Sequence, residues 1–475
     1  MSSKTKDNQS PVIIIGAGPA GLAAAYELSV RNRRKCLIFE KCSEIGGLSR
    51  TVEYKKFRMD IGPHRFFTKN TRVDKLWHKV LSENEFQLRD RQTRIYYNNI
   101  FFNYPLKALE IPFKLGLLKT LHIAFSYFKR HLMPVKPEDN FESWVRNRFG
   151  DILYEIFFHD YTKKVWGVNP NKIDAEWAAQ RIRSLSLGKV IFDTVKLIKK
   201  SSPTSLISQF RYPVEGAGMM YVKMAEDIQK SGSEIITGAD VTSVKIKNNS
   251  ALSVTVQYSD GSRKNYPAAH IISSMPLDEL ATALSDADTK LKNAAESLSY
   301  RSLVTVNLIF DKLVPQNDHW IYLNSSDVKA GRMNLFHNWS VKMTPDNSSS
   351  CVSLEYFCNE NDELWNTPDS KLAEMAEKEI EVINFMREFK PVDSRVIRYR
   401  KAYPCYLGEY KKSLTVIRNR LKEIPNLIPV GRYGQFRYNN MDHSIETGIL
   451  AAEKITGKNV DPWSVNEEAE YHEEQ

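Results

Sequence analysis

Short runs of hydrophobic residues mark three stretches of the chain. They are PVIIIG at residues 11–16, KCLIFEK at residues 35–41 and NLIPVGR at residues 426–432. Such a run is typical of a strand that is buried on both faces within a parallel sheet. The pattern therefore predicts a parallel sheet whose strands come from both ends of the chain.

Two helices are predicted beside these strands. The first contains LAAAYEL and follows the first strand through a glycine-rich turn. The second begins near Met441, with Asp442 available as its N-cap and with Ile445 and Ile449 on one face. Residues 234–275 are rich in β-forming residues and contain an SDG turn between alternating runs, which predicts a β-hairpin layer.

Two long insertions separate these blocks. Residues 86–211 are predicted to be largely helical and are rich in aromatic residues and cations. Residues 300–400 combine strands such as LVTVNLIF and CVSLEYF with a helix at 370–388. This order predicts one domain built from separated segments and a second domain built from the insertions.

The chain is basic, with a formal net charge of +10 over 475 residues. This balance favours an anionic partner. No cluster of Lys and Arg interleaved with aromatic residues is present, so we expect a small anionic molecule rather than nucleic acid. The five cysteines show no C-x-x-C spacing, which fits a reducing, cytoplasmic compartment and predicts neither disulfides nor a metal site.

A glycine fingerprint lies between the first strand and the first helix. Gly16, Gly18 and Gly21 form G-x-G-x-x-G, in which the backbone and the helix N-terminus can receive a pyrophosphate. Glu40 ends the second strand, where an acid can bind the ribose hydroxyls of a dinucleotide. The strand, the helix and the acid together predict dinucleotide binding.

We therefore predict an α/β fold with a Rossmann-like dinucleotide-binding domain assembled from discontinuous segments and a mixed α+β substrate domain inserted into it. The predicted segments of the dinucleotide-binding domain are 1–85, 212–290 and 404–460. Those of the substrate domain are 86–211, which is helical, and 291–403, and residues 461–475 form an acidic tail.

A second glycine pair follows Glu40 and includes Gly47, Leu48 and Arg50. It resembles the extended flavin fingerprint of the amine oxidase superfamily, and this resemblance implies that FAD is the cofactor. It also implies that further cofactor contacts come from the hairpin layer and from the closing turn GRYGQFRYNNMDHSI, namely from Val241, Gly431, Arg432, Met441 and Asp442. Many members carry an acid at the position of Arg432, so Asp442 is expected to take over a polar contact with the cofactor.

Six short segments sharpen the resemblance toward UDP-galactopyranose mutases and their relatives. They are, in chain order, GPHRFFT at 62–68, YTKKVWG at 161–167, PVEGAG at 213–218, YRS at 300–302, AYP at 402–404 and the closing YNNMD at 438–442. The resemblance implies an enzyme that acts on a uridine diphosphate sugar in glycan biosynthesis, with no side-chain nucleophile.

The same resemblance implies roles for individual residues. Trp166 and Tyr161 would hold the uracil ring, Tyr403 and Tyr438 would add hydroxyl donors, and Arg181 and Arg301 would bind the diphosphate, because a guanidinium fork fits phosphate oxygens. His64 would lie against the flavin face; its other interpretation is a histidine that bonds backbone carbonyls in a tight loop.

Two departures from the mutase pattern leave the reaction open. A second histidine of the pattern is replaced by Phe67, and an aromatic pair is replaced by Asn439 and Asn440. A different sugar or a net oxidation is therefore compatible with the sequence. The alternative class is an oxidase of the protoporphyrinogen-oxidase or amine-oxidase type, which transfers hydride from a non-nucleotide substrate to flavin on the same scaffold.

Residues 107–136 combine Leu, Ile and Phe with several Lys residues. One interpretation is a basic amphipathic helix that lies on the anionic inner face of a membrane, which would make a cytoplasmic protein peripheral. The other is a helical wall around the active site, with its apolar face in the core and its cations in water.

Overall fold

The computed structural model describes residues 10–104, 106, 110–175 and 209–466. Strands alternate with helices through most of this length. The strands are β1 (Val12–Ile15), β2 (Cys36–Phe39), β3 (Thr51–Tyr54), β4 (Phe57–Asp60), β5 (Phe86–Asp90), β6 (Thr93–Tyr97), β7 (Ile100–Asn103), β8 (Gln209–Pro213), β9 (Glu234–Ile236), β10 (Ala239–Lys247), β11 (Ser250–Tyr258), β12 (Arg263–Pro267), β13 (His270–Ser273), β14 (Ser299–Phe310), β15 (Trp320–Leu323), β16 (Arg332–Leu335), β17 (Ser350–Cys358), β18 (Asp393–Cys405) and β19 (Leu427–Pro429).

The α-helices are α1 (Pro19–Tyr26), α2 (Thr71–Val80), α3 (Glu110–Leu115), α4 (Leu117–Leu132), α5 (Phe141–Phe149), α6 (Asp151–Tyr154), α7 (Asp160–Trp166), α8 (Met219–Lys230), α9 (Leu277–Ala283), α10 (Thr289–Glu296), α11 (Glu363–Asn366), α12 (Asp369–Val382), α13 (Tyr410–Lys422), α14 (Gly431–Gly434) and α15 (Met441–Ile455).

A parallel sheet of order β19-β13-β1-β2-β9 forms the centre of the first domain. Helices α1, α2, α8 and α15 contribute to the hydrophobic core on one of its faces. The hairpin layer β10–β12 and helices α9, α10 and α13 contribute to the core on the other. The predicted parallel sheet from both chain ends and the hairpin at the SDG turn are therefore confirmed.

Glycine allows α1 to pack closely against its surroundings. A Cβ added at Gly21 would lie 1.9 Å from the carbonyl oxygen of Gly16, and one at Gly448 would lie 2.1 Å from the carbonyl oxygen of Ala20. No real Cβ tolerates such distances, so both positions exclude any side chain. Gly21 thus fixes the helix against the turn that precedes it, and Gly448 fixes α15 against α1.

A seven-stranded mixed sheet of order β18-β14-β17-β16-β15-β6-β7 forms the second domain. Helix α12 packs on one face, while helices α5 and α7 contribute to the core on the other. The prediction that residues 86–211 are largely helical was wrong in part, because β5, β6 and β7 lie in this segment. The α/β fold class, with a parallel sheet and a large second sheet, is confirmed.

Two predicted helix boundaries need correction. The N-cap of α15 is Asn440 rather than Asp442, since the Asn440 side chain accepts from the backbone of His443 and the His443 side chain accepts from the backbone of Asn440. Asp442 therefore lies in the first turn of the helix. The helix predicted at 370–388 ends at Val382.

The predicted segment limits stay predictions. β8 crosses the limit placed between residues 211 and 212, and β18 crosses the limit placed between residues 403 and 404. Across the described ranges, no helix has the length and apolar character needed to cross a bilayer.

Candidate active site

The two glycine turns face each other without intervening side chains. Gly18 is the N-cap of α1, whose start has no side-chain cap hydrogen bond and no acidic residue in the first turn. A Cβ at Gly18 would lie 3.7 Å from the α-carbon of Gly47, and Gly16 and Gly47 both have positive φ angles, 94° and 56°. The uncapped helix start therefore opens on a surface of bare backbone that suits a pyrophosphate.

Glu40 lies at the end of β2 and is buried. Its carboxylate accepts hydrogen bonds from the backbone N–H groups of Ala17, at 2.7 Å, and Cys42, at 2.9 Å. Each carboxylate oxygen can accept a second bond, so ribose hydroxyls fit the lone pairs that remain. The acid thus connects the first glycine turn to the end of the second strand.

The second glycine turn continues into a single 3₁₀ turn, Gly47–Ser49, in which Leu48 is buried. Arg50 follows, with its Nε 3.1 Å from Oε2 of Glu44 and its guanidinium 5.3 Å from the ring centre of Tyr399. Tyr399 belongs to β18 and was not predicted from the sequence. It brings the second domain into contact with the candidate cofactor loop.

The closing turn lies at the end of β19. The N–H of Gly431 donates to Oγ1 of Thr447 at 2.9 Å. Met441 is buried, and among the described residues Oδ1 of Asp442 accepts no hydrogen bond. A buried carboxylate oxygen without a donor is costly, so a hydrogen-bond donor of a bound cofactor fits this position.

Val241 lies in the hairpin layer beside the parallel sheet. It is buried in β10 and pairs with Val256, and the register of the two strands shifts between Val241 and Ser243. A shift of this kind disrupts the ladder and frees backbone groups. The cofactor contacts predicted for Val241, Gly431, Arg432, Met441 and Asp442 stay predictions.

The loop that carries His64 bends at Gly62, whose φ is 100°. The N–H of His64 donates to the carbonyl of Gly62 at 3.0 Å. Phe66 anchors the loop by stacking on Trp77, with ring centres 3.5 Å apart. Burial lowers the pKa of His64 to about 3, and the charges of Arg432 and Arg332 add to this effect. His64 is therefore neutral near pH 7.

Nδ1 of His64 is buried and has no hydrogen-bond partner in the part of the chain that the structure describes. The loop therefore does not use this nitrogen to satisfy a neighbouring carbonyl, which was the structural interpretation of the histidine. A buried ring nitrogen without a hydrogen-bond partner can form that bond with a bound molecule.

Arg332 is a second residue of the site that was not predicted from the sequence. Its Nε donates to Oε2 of Glu355 at 3.0 Å, and its Nη2 donates to the Tyr403 hydroxyl at 3.0 Å. Nδ2 of Asn334 donates to the other oxygen of Glu355 at 2.6 Å. Burial opposes the charge of Arg332, but the Glu355 carboxylate outweighs it and raises the pKa of Arg332 well above its usual value.

A signal for this pair exists in the sequence. Glu355 interrupts the otherwise apolar strand CVSLEYF. A carboxylate in such a strand is almost never buried without a partner, so it indicates a buried cation elsewhere in the fold. The partner itself carries no motif.

Aromatic side chains surround the two arginines. Tyr403 and Tyr438 are stacked with ring centres 5.7 Å apart, and the Arg432 guanidinium lies 4.7 Å from the ring centre of Tyr438. Tyr161 meets Tyr322 edge to face at 5.5 Å, and burial raises the pKa of Tyr161 well above its usual value. Tyr161 is therefore a neutral ring whose hydroxyl group can donate.

Arg301 occupies a different position. Its guanidinium is buried and donates to the carbonyls of Val165, at 3.1 Å, Lys164, at 3.4 Å, and Phe357, at 2.7 Å. The first two carbonyls are at the C-terminal end of α7, so Arg301 holds that helix end against β17.

The structure therefore brings together His64, Tyr161, Tyr403, Tyr438 and Arg432 around the Arg332–Glu355 pair. Trp166 is buried in the hydrophobic core beside them. Arg181 lies outside the described residues. The substrate and catalytic roles of Arg301, Trp166 and Arg181 stay predictions.

The fold and the two facing glycine turns around Gly18 and Gly47, which we call the cofactor cradle, are those of a flavoprotein. Residues 19–456 match the sequence model of the flavin containing amine oxidoreductase family. The chain belongs to this family, and FAD is its cofactor. The superfamily resemblance seen in the two glycine turns is confirmed.

The individual proteins that are similar to this chain include both mutases and oxidases. A crystal structure of reduced UDP-galactopyranose mutase superimposes with a TM-score of 0.83 at 21% identity, covering 97% of this chain and 98% of that one. A dTDP-fucopyranose mutase from Escherichia coli is 26% identical over 34% of this chain, which spans 44% of that mutase. Protoporphyrinogen oxidase 2 from Arabidopsis thaliana is 21% identical over 94% of this chain and 93% of its own length.

Proposed function

We propose that this flavoprotein binds a nucleoside diphosphate sugar and converts it in glycan biosynthesis, by mutase-type isomerisation or by oxidation. The observation that carries the proposal is the half-buried cluster of Arg332, Arg432 and tyrosine rings beside neutral His64. A cationic, aromatic site of this kind suits a molecule that combines phosphate groups with a flat base.

The hydrogen bonds of the two arginines support an anionic ligand. Within the described residues, Nη1 of Arg332 and Nη2 of Arg432 donate to no protein acceptor, whereas their other guanidinium nitrogens are used. A diphosphate supplies acceptors for both groups. A purely apolar substrate offers no acceptor to either group.

We expect the residues of the cluster to have different roles in the reaction. FAD supplies the redox-active, electron-rich ring of the reaction when it is bound. The arginines bind the diphosphate and stabilise negative charge as it leaves the sugar. The tyrosine rings exclude water and orient the base. Neutral His64 holds one ring proton and offers its other nitrogen as an acceptor for a sugar hydroxyl.

A second candidate is oxidation of a non-nucleotide substrate, as in protoporphyrinogen-oxidase or amine-oxidase-like enzymes. It is favoured by the match to protoporphyrinogen oxidase over 94% of this chain. Against it stand the charges of Arg332 and Arg432, which an apolar substrate does not need.

A UDP titration of the purified flavoprotein, followed in its visible absorption band, tests the proposal. We expect a saturable shift of the band with UDP. Arg332→Lys keeps a charge beside Glu355 but loses the guanidinium fork, so UDP should bind at least about 10-fold more weakly. Arg398→Lys, a change on strand β18 outside the cluster, is the matched control and should bind UDP like the wild type.

Two outcomes contradict the proposal. A flavin band that is indifferent to UDP and to other nucleoside diphosphates would favour the oxidase candidate. Equal UDP affinity in Arg332→Lys and wild type would remove the cluster from the binding site.

A further inference from the structure

Helix α4 presents its apolar side to solvent. The large hydrophobic side chains of one face, together with Phe113 of α3, are 58% to 88% exposed: Leu117, Leu118, Leu121, Phe125, Phe128 and Leu132. At 100° per residue these six positions of α4 fall within an arc of about 100°. We call this surface the α4 stripe. An exposed, continuous apolar stripe marks an interaction site in an otherwise soluble fold.

Polar contacts fix the helix in this orientation. The Ser126 hydroxyl accepts from the backbone N–H groups of Asp151, at 2.7 Å, and Ile152, at 3.3 Å. Nε of Arg130 donates to the Asp151 carboxylate at 2.8 Å. A Cβ at Gly150 would lie 2.8 Å from the backbone nitrogen of Tyr127, so α4 approaches this turn closely.

The polarity of α4 is thus reversed relative to an ordinary surface helix. Ser126 and Arg130 face the protein, and the α4 stripe faces away from it. Rotating the helix to bury the stripe would break the bonds to Asp151 and Ile152 and replace them with leucine and phenylalanine. The contacts of Ser126 and Arg130 therefore hold the apolar face of α4 toward solvent. The interpretation of residues 107–136 as a helical wall with its apolar face in the core does not describe α4.

The charge around the stripe identifies what covers it. Residues 111–137 contain no Asp or Glu, but they contain five cations: Lys114, Lys119, Lys129, Arg130 and Lys136. We propose that the α4 stripe inserts into the surface of an anionic phospholipid bilayer, with the exposed Lys129 and Lys136 among the headgroups and Arg130 held on Asp151. A basic helix with one apolar face binds such membranes by burial of apolar area and by attraction to anionic lipid.

A second copy of the chain fits the stripe less well. A symmetric dimer through α4 would bring the same surface of two protomers together and would oppose two sets of cations without any acid between them. Length supports the same conclusion: the 16 residues of α4 span about 24 Å and cannot cross a bilayer at an angle while Ser126 and Arg130 stay on the protein. The helix therefore lies in the plane of the membrane.

Vesicle co-sedimentation of the full-length holoenzyme tests this inference. We expect binding to vesicles of phosphatidylcholine mixed with phosphatidylserine and much weaker binding to phosphatidylcholine alone. The triple variant Leu118→Ser, Phe125→Ser, Leu132→Ser should partition on the order of 100-fold more weakly. The matched control Leu88→Ser, Leu313→Ser, Val392→Ser changes side chains that are 51% to 61% exposed elsewhere and should bind like the wild type.

Both triple variants should keep the flavin absorption band, because none of these residues lies at the cofactor cradle. Wild-type protein that does not bind anionic vesicles would overturn the inference and would indicate that a protein surface covers the stripe. Equal binding by the α4 variant and the wild type would overturn it as well. So would a lipid-free dimer, seen by sedimentation velocity, that only the α4 variant disrupts.

Discussion

The same substitution at Gly18 and at Gly21 is predicted to have two different effects, although the positions are three residues apart. At Gly21 an added methyl group would lie 1.9 Å from the carbonyl oxygen of Gly16 and 3.3 Å from Cγ2 of Ile14. At Gly18 the nearest atom would be the α-carbon of Gly47, at 3.7 Å, which is an ordinary contact. Gly21→Ala is therefore expected to destabilise the folded protein, whereas Gly18→Ala is expected to affect mainly the binding of the cofactor.

The magnitudes follow from these distances. A backbone shift that removes the Gly21 clash costs about 3 kcal/mol or more, and better helix propensity returns about 1 kcal/mol of it. Gly21→Ala should therefore lower the free energy of unfolding of the apoprotein by about 2 kcal/mol or more. Gly18 has an ordinary φ of −84°, so Gly18→Ala should cost the apoprotein about 1 kcal/mol at most, through a poorer N-cap.

The affinity for FAD, in contrast to stability, should be affected by Gly18→Ala. A methyl group at Gly18 occupies the backbone surface where we expect the pyrophosphate, so FAD affinity should fall at least about 10-fold, or about 1.4 kcal/mol. Urea unfolding of the apoprotein and titration with FAD, followed by flavin fluorescence, measure the two quantities separately. Wild-type FAD affinity in Gly18→Ala would refute the predicted path of the pyrophosphate, and wild-type stability in Gly21→Ala would refute the packing argument.

Two further predictions concern His64 and Arg301. Because the pKa of His64 is about 3 in the folded protein and 6.5 when it is unperturbed, only the unfolded chain takes up this proton below pH 6.5. The free energy of unfolding of the wild type should therefore fall relative to that of His64→Gln as the pH decreases, by up to about 1.4 kcal/mol per pH unit. Urea unfolding at several pH values measures this difference, and the same pH dependence in both proteins would contradict the prediction. Arg301→Gln should lower the free energy of unfolding by about 2–4 kcal/mol through the carbonyls it leaves at the end of α7, while Arg400→Gln, at the surface of β18, should change it by less than about 0.5 kcal/mol. An Arg301→Gln variant of normal stability but weak UDP binding would instead give Arg301 the diphosphate role predicted from the sequence.

The cofactor cradle was predictable because its determinants are local. Gly16, Gly18 and Gly21 lie in one strand-to-helix turn, and Glu40 ends the next strand, so spacing alone carries the geometry. The Arg332–Glu355 pair was not predictable in the same way. Its members come from β16 and β17 and meet only through strand pairing, in which Arg332 lies opposite Glu355. Register of this kind depends on the whole sheet.

The missed strands β6 and β7 had a local signal. They are joined by Asn98 and Asn99, which both have positive φ, 47° and 62°. Two adjacent asparagines between alternating aromatic residues are typical of a type I′ hairpin turn. The outward orientation of α4 had no such signal, because an amphipathic pattern does not say which face meets the protein; the contacts of Ser126 with Asp151 and Ile152 decide it.

Strand β18 joins the cofactor cradle to the candidate substrate cluster. Tyr399 meets Arg50 at the second glycine turn, and Tyr403 accepts a hydrogen bond from Arg332. Opposite them on β14, Leu303 pairs with Tyr399 and Arg301 pairs with Tyr403, so β18 carries two extra residues at this point. The extra residues are left outside the regular pairing and bend the strand locally.

Because Tyr399 and Tyr403 pair with β14 residues that are two positions apart, both tyrosines lie on the same side of the sheet. Strand β18 therefore contacts the cradle through Tyr399 and the cluster through Tyr403. If the cluster binds the substrate, as we propose, this strand connects the substrate site to the cofactor site. The proposal depends on the charge of this cluster, and the UDP titration of Arg332→Lys addresses that charge directly.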